Sequence, residues 1–385
     1  MIKKHKSLFT VYMEPITSLL LVFSTVFALY ICNSSYKDLY HNIFYKTYIT
    51  SNFNLHSFIN DFMMAIFFLL AGLEIKEEVL YGSLSTFKKA SFPIIASIGG
   101  VIMPAIIFTY FNLNTEYISG VCIPISTDIA FSMGIYFLFS KYLNPTIKMF
   151  LLSLAVVDDL ISILLIGTVY SSNINFNFFI LAFLCFIIIF IGNKFFKIES
   201  VLYYILLGLS LWYFIHLSGI HSTLSGIILA IGIPTKPFKR KYSVSHYINK
   251  YFNPFNRFII IPLFAFANTG ITIYSNLNIT KFPTIFFGIY LGLLIGKPVG
   301  IMLFSYMSNF IGLSIKSKEL NWSSVFLASI ISSIGFTMSI FVSEVAFTGN
   351  MELINISRIY ILISSFTSII LSSLFIKTFK ELHII

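Results

Sequence analysis

The sequence predicts an all-α fold that crosses a lipid bilayer many times. Three observations lead there. Apolar runs of about 20 residues recur along the chain, the length a helix needs to cross a hydrocarbon core of roughly 30 Å. Only 10% of the 385 residues are charged while 57% are hydrophobic, against roughly 25% charged in soluble proteins. Cationic residues gather in alternate connections, the asymmetry expected of a multi-spanning protein. Open sheet edges are not tolerated in lipid, which leaves helices as the spanning element.

Hydropathy divides the chain into twelve candidate spans, near 12–32, 59–81, 93–112, 120–140, 147–170, 177–196, 200–216, 219–234, 255–274, 284–309, 322–345 and 355–377. The first follows Met1-Ile-Lys-Lys-His-Lys6. Its apolar run exceeds the roughly 7–15 residues of a signal-peptide core, so it reads as a retained span. Ser218-Gly219 makes a slight break between the seventh and eighth. The connection 37–57, rich in Tyr, Thr, Ile and Asn, reads as a small hairpin. One long polar connection, 235–250 with Thr235-Lys-Pro-Phe-Lys-Arg-Lys241, divides the chain into two bundles of spans without making separate domains. Residues 1–385 therefore read as one transmembrane unit.

The charges orient the spans. With the N-terminus in the cytoplasm, the inner side holds Lys3, Lys4, Lys6, Lys88, Lys89, Lys141, Lys194, Lys197, the Lys236–Lys241 run, Lys316, Lys318, Lys377 and Lys380. The outer side holds Lys37, Lys46, Lys281 and Arg358. Both termini are then cytoplasmic. The net charge of +10 is thus topological, with attraction to anionic lipid as a by-product. It does not indicate nucleic acid, since no stripe of cations interleaved with aromatics accompanies it. Cys32, Cys122 and Cys185 are far apart and have no metal-ligand spacing.

Four ionisable residues fall at mid-span: Asp128, Asp158, Asp159 and Lys297. A charge at the bilayer centre costs about 2.5–3.5 kcal/mol or more, so each points to function. A purely structural salt bridge would account for Lys297 and one aspartate. It leaves two carboxylates, which must bind protons or a cation or become neutral. Adjacent aspartates on a helix point about 100° apart, so one can face Lys297 while the other faces a cavity. Asp159, Asp128 and Thr127 offer the oxygen ligands that a hard cation such as Na⁺ prefers. Protons and Na⁺ would compete there. Two spans, the fourth and the eleventh, also carry interruptions: Cys122-Ile-Pro-Ile-Ser-Thr-Asp128 and Ser332-Ser-Ile-Gly-Phe-Thr-Met-Ser339, the latter including Gly335 and Thr337. Taken singly, each could be a small-residue packing face. Matched interruptions point instead to inverted-topology repeats with the site at the break. Asp128 and Lys297 would then balance opposite helix-dipole ends.

At these residues the sequence resembles the NhaA-type sodium/proton antiporters. The matching stretches are Ile59-Asn-Asp-Phe-Met-Met-Ala-Ile-Phe-Phe-Leu-Leu-Ala-Gly-Leu-Glu74, Ser126-Thr-Asp-Ile-Ala-Phe131, Leu154-Ala-Val-Val-Asp-Asp-Leu160, Ser218-Gly-Ile-His-Ser-Thr-Leu-Ser-Gly226, Pro262-Leu-Phe-Ala-Phe-Ala-Asn268, Gly296-Lys-Pro298 and Ile334-Gly-Phe-Thr-Met-Ser-Ile-Phe341. The resemblance implies twelve spans, two crossed interrupted helices, and electrogenic exchange of one Na⁺ (or Li⁺) for two H⁺ in a bacterial inner membrane. It implies that Asp159 is the principal ion-binding carboxylate and that Asp158 pairs with Lys297 and changes partner. Asp128 and Thr127 would support the site. His221 matches a residue linked to pH response, and Asp61, Glu74 and Lys76 lie where the family takes up ions or senses pH. Ordinary packing at span ends accounts for these four equally well. A homodimer through 37–57 is implied too, with no cofactor beyond the transported ions.

The sequence departs from the family pattern in two places. Glu77 stands where the family has a basic residue, and Asn249-Lys-Tyr-Phe-Asn-Pro254 lacks the family's acid and histidines. Exchange is expected to survive with a shifted or weakened pH threshold. Glu344 has no account from sequence. An organic-anion symporter would need more buried cations than Lys297, the only one expected. A scaffold or passive channel would have no use for three mid-membrane aspartates. No nucleophile–base pair, phosphate loop or metal motif suggests an enzyme.

Overall fold

The computed structural model describes residues 8–50, 53–82, 84–170, 174–272, 282–317 and 319–381. Lys3, Lys4, Lys6, Lys281 and Lys318 of the charge count lie outside these residues, as does the end of the stretch 255–274. In chain order the elements begin with α1 (Leu8–Cys32), α2 (Lys37–His41), a π-helical turn, β1 (Tyr48–Thr50), β2 (Phe53–Asn54) and α3 (Leu55–Ser57). A second π-helical segment, Phe58–Met63, leads into α4 (Met64–Tyr81) and α5 (Phe87–Asn112). The 3₁₀ segment Glu116–Ile125 precedes α6 (Ile129–Leu138), and α7 (Pro145–Val169), α8 (Phe176–Lys194), α9 (Val201–Leu217) and α10 (Leu224–Gly232) follow. Next come α11 (Val244–Phe255), α12 (Ile261–Thr269), α13 (Pro283–Leu291), a π-helical Gly292–Gly296 and α14 (Lys297–Ile311). The chain closes with α15 (Trp322–Ser332), α16 (Phe336–Ala346) and α17 (Met351–Glu381).

Among the described residues eight helices are long and apolar enough to cross a membrane, and a ninth span is formed if the bent pair α15–α16 is counted as one. The chain is a multi-pass α-helical membrane protein. Two of the expected spans contain less helix than hydropathy suggests. In 219–234 only nine residues are helical, and 255–274 divides between the end of α11, a π-helical turn and the nine-residue α12. Nine helical residues rise only about 14 Å.

Three further expectations change. The hairpin is confined to Tyr48 opposite Asn54 and Thr50 opposite Phe53, while 37–46 is helical. The stretch 249–254, read as connection, belongs to α11. There Ser243 accepts the His246 N–H as an N-cap, and Val244, Ser245 and Ile248 are buried on one face. A hydropathy scan misses such a helix because its other face is polar. Lastly, the chain does not divide at 235–250. Packing separates one unit of 1–30, 86–159 and 268–385 from a second of 31–85 and 160–267.

In the first unit α5 and α14 come into backbone contact. A Cβ on Gly99 would lie 2.2 Å from the Gly300 carbonyl, and one on Gly300 2.1 Å from the Gly99 carbonyl. Small residues permit this approach in lipid, where packing replaces the hydrophobic effect between helices. Ser97 on α5 donates to the Leu154 carbonyl of α7 at 2.9 Å. In this way α14, which begins at Lys297, and α7, which carries Asp158 and Asp159, are both held to α5. The second unit packs Leu70, Leu73, Ile189, Tyr204, Leu211, Ile233 and Ile248 into one apolar core.

Candidate ion-binding site

The two interruptions meet. After Ile125 the chain runs extended from Ser126 to Asp128, which N-caps α6. The second break bends α15 against α16 by 47°. The Asp128 N–H donates to the Ile334 carbonyl at 2.8 Å, Ser132 Oγ donates to the Ile331 carbonyl at 3.1 Å, and the Ser126 and Ser339 hydroxyls lie 3.1 Å apart. Backbone groups freed by the breaks are thereby satisfied between them, a condition for irregular backbone at membrane depth.

Asp128 serves two helix N-termini. Its Oδ1 accepts the Phe131 N–H of α6 at 2.9 Å. Its Oδ2 accepts the Thr337 N–H of α16 at 3.0 Å and also the Thr337 hydroxyl. Each terminus presents roughly half a positive charge, so together they offset one carboxylate. Lys297 lies at the opposite pole. Its Nζ donates to the Ile125 carbonyl, which closes the 3₁₀ segment, and pairs with Asp158 Oδ2 at 2.7 Å. Thr127 Oγ1 lies 2.6 Å from that same Oδ2 and 3.2 Å from the Ser332 carbonyl, so its single proton serves one of them at a time.

Relative exposures are 0% for Lys297 and Asp158, 1% for Asp159 and 2% for Asp128. Asp158 Oδ1 has no hydrogen-bond partner among the described residues, and Asp159 lies within Coulombic reach of Lys297. The structure thus forms two bonded groups, Thr127–Asp158–Lys297 and Asp128–Thr337, joined by the chain at Thr127-Asp128, with Asp159 next to Asp158 on α7. Gly335 N-caps α16 at the break. No three His, Cys, Asp or Glu side chains converge as a transition-metal cage among the described residues.

Comparison with known proteins decides the family. The model of the Na⁺/H⁺ antiporter 1 family matches residues 10–376. The chain belongs to this family. It is 41% identical over 377 residues to the Na(+)/H(+) antiporter NhaA 2 of Aliarcobacter butzleri, covering 94% of this chain and 93% of the relative. The Na(+)/H(+) antiporter NhaA of Helicobacter pylori is 34% identical over 409 residues, with 94% and 93% covered. That of Pelagibacter ubique is 37% identical over 365 residues, with 92% and 93% covered.

The remaining candidates of this antiporter-family chain lie in the second unit. Asp61 is in the π-helical Phe58–Met63, and Glu74 is half-buried on α4. Lys76 Nζ donates to the carbonyls of Ala230, Ile231 and Ile233 at 3.2, 2.7 and 2.5 Å, a cation on the C-terminal end of α10. Its neighbour Glu77 accepts from Ser245 Oγ at 2.7 Å and from Asn249 Nδ2 at 3.4 Å, which ties α4 to α11. His221 Nδ1 lies 2.8 Å from Thr223 Oγ1, within electrostatic reach of Asp61 and His216.

Sequence reasoning missed one buried charge. Arg358, counted as an outer-face cation, is 1% exposed and pairs with Glu344. Lys297 is therefore not the only buried cation. The signal was available: a cation several residues inside a span, with an unexplained acid near the end of the span before it.

Proposed function

We propose that this chain exports Na⁺ (or Li⁺) in electrogenic exchange for about two H⁺, by alternating access to the aspartate cluster in a bacterial inner membrane. The cluster's charge balance carries this reading. Two helix N-termini offset Asp128 and Lys297 offsets Asp158, yet three carboxylates still outnumber one ammonium. In lipid the excess must be matched by an ion that comes and goes. Asp159 is the principal ligand, with Asp158 Oδ1 and Thr127 within the same constellation. Na⁺ bound there displaces one proton from Asp159 and one from the Asp158–Lys297 pair, as Asp158 turns from the ammonium toward the cation. Two protons inward against one Na⁺ outward moves one net charge per cycle.

Asp128 and Thr337 keep the two breaks together while the site changes the side it faces. The fold we infer has twelve spans in inverted-topology repeats, the fourth and eleventh crossing at their breaks, with both termini cytoplasmic and residues 1–385 acting as one transporter. Asp61, Glu74, Lys76 and His221 contribute to ion entry or pH response, and 37–57 to a homodimer.

Proteoliposomes loaded with a pH-sensitive dye test the reading. Adding Na⁺ or Li⁺ should move protons, K⁺ should not, and a valinomycin-set potential should change the rate. Competition fixes the sign of the pH effect. Raising pH removes the competing proton, so the KM for Na⁺ should fall by about tenfold per pH unit for one competing proton, and more steeply for two. A KM independent of pH, or a rate indifferent to membrane potential, would refute the mechanism.

A further inference from the structure

We propose that Arg358 is a positioning residue that sets the register of α16, and through it holds Thr337 on Asp128. The inference rests on the reading that Asp128 supports the ion site. Arg358 is buried within α17, and its guanidinium donates to the Glu344 carboxylate, to Asn268 Oδ1 at 3.3 Å and to Asn355 Oδ1 at 3.2 Å. A planar guanidinium can hold several acceptors in fixed directions, which an ammonium cannot.

Glu344 lies on α16 about two turns beyond Thr337, a rise of about 10 Å. At the other end of that interval α17 makes a second contact, where Ser365 Oγ accepts the Phe336 N–H at 3.2 Å. Arg358 and Ser365 are themselves about two turns apart on α17. Two points on one helix therefore match two points on the other, so α16 cannot slide by a turn without breaking both. Charge placement agrees. Asp128 lies at the positive N-terminal end of α16, and Arg358 offsets Glu344, an anion on the C-terminal turn where the helix dipole disfavours it. The Glu344–Arg358 pair is thus the distal anchor of the helix whose first turn closes the ion site.

Two variants test this. Arg358→Gln removes the anchor but leaves Glu344 uncompensated. The double change Glu344→Gln with Arg358→Met removes both charges together and avoids an unpaired buried charge. Hydrogen–deuterium exchange is measured on detergent-purified protein over 336–340, alongside the KM for Na⁺ in proteoliposomes and the thermal midpoint. We expect both variants to raise deuterium uptake at 336–340 severalfold and the Na⁺ KM by about tenfold, with a smaller loss of maximal rate. Uptake raised only around 344–348, with 336–340 and the KM unchanged, would overturn the proposal. Should the unaltered protein exchange no Na⁺ for H⁺, the functional reading falls, and uptake at 336–340 alone decides the anchor.

Discussion

The two compact units meet the same lipid with opposite cores. Every Asp, Glu, Lys or Arg that is fully buried among the described residues (Asp128, Asp158, Asp159, Lys297 and Arg358) belongs to the first unit. The core of the second is apolar, drawn from Leu70, Leu73, Ile189, Tyr204 and their neighbours. Its charges Asp61, Glu74, Lys76 and Glu77 are only half-buried. Lys76 and Glu77 are used to fasten helix ends. An apolar core in lipid needs only close packing, as where Gly226 of α10 lies so near α4 that a Cβ would be 2.1 Å from the Ala65 carbonyl. A charged core requires partners, and the interrupted helices of the first unit supply those of Asp128, from the N-termini of α6 and α16. Chemistry is therefore expected where burial is costly, and adjustment where it is cheap.

That contrast can be broken by experiment. The largest effect should follow Asp159→Asn, which removes the carboxylate proposed as the principal ligand while keeping the side chain's size. Exchange should fall by about 100-fold or more, given the strength of bonds to charged groups, while the purified protein keeps its thermal midpoint. Near-normal exchange would place the chemistry elsewhere. Next comes Lys297→Met, which leaves Asp158 buried without its ammonium and should cost about 3–5 kcal/mol of stability. Adding Asp158→Asn should recover most of that loss in a thermal-shift measurement. Failure to recover would mean that the pair is not the reason for the cost.

Thr337→Ala should act more gently. It removes one hydroxyl donor from Asp128 but leaves the Thr337 N–H in place, a change of about 1–2 kcal/mol. The expected readout is a KM for Na⁺ raised about tenfold, with a smaller change in maximal rate. The smallest effect belongs to the second unit. Lys76→Ala strips a cation from the end of α10 at about 1 kcal/mol or less. It should therefore lower the thermal midpoint slightly and shift the pH dependence or the Na⁺ KM of exchange by a small factor, while leaving the maximal exchange rate unchanged. A collapse of exchange in this variant would erase the proposed division between the units.

How much of this was readable beforehand depends on the kind of property. The mid-span aspartates, Lys297 and the paired interruptions stand out in sequence, because a polar residue inside an apolar run is a local signal. Arg358 was misplaced, since it follows a polar turn closely enough to pass for an interfacial cation. Its burial depends on Glu344 and Asn268, which the chain brings to it from other helices. Helix α11 was missed for the converse reason: its polar face lowers the average over any window.

Composition and the order of apolar runs determined by themselves that this is a multi-spanning helical protein, and that charged residues fall in the middle of apolar runs. These are properties each residue carries independently, so they can be read along the chain. Only the tertiary structure decided which group each charge answers. Asp128 is bound to Thr337, 209 residues away, Lys297 to the Ile125 carbonyl and Asp158, and Arg358 to Glu344. Such pairings follow from close contacts like that of Gly99 with Gly300. Packing of that kind is a joint property of distant segments, which no single stretch of sequence contains.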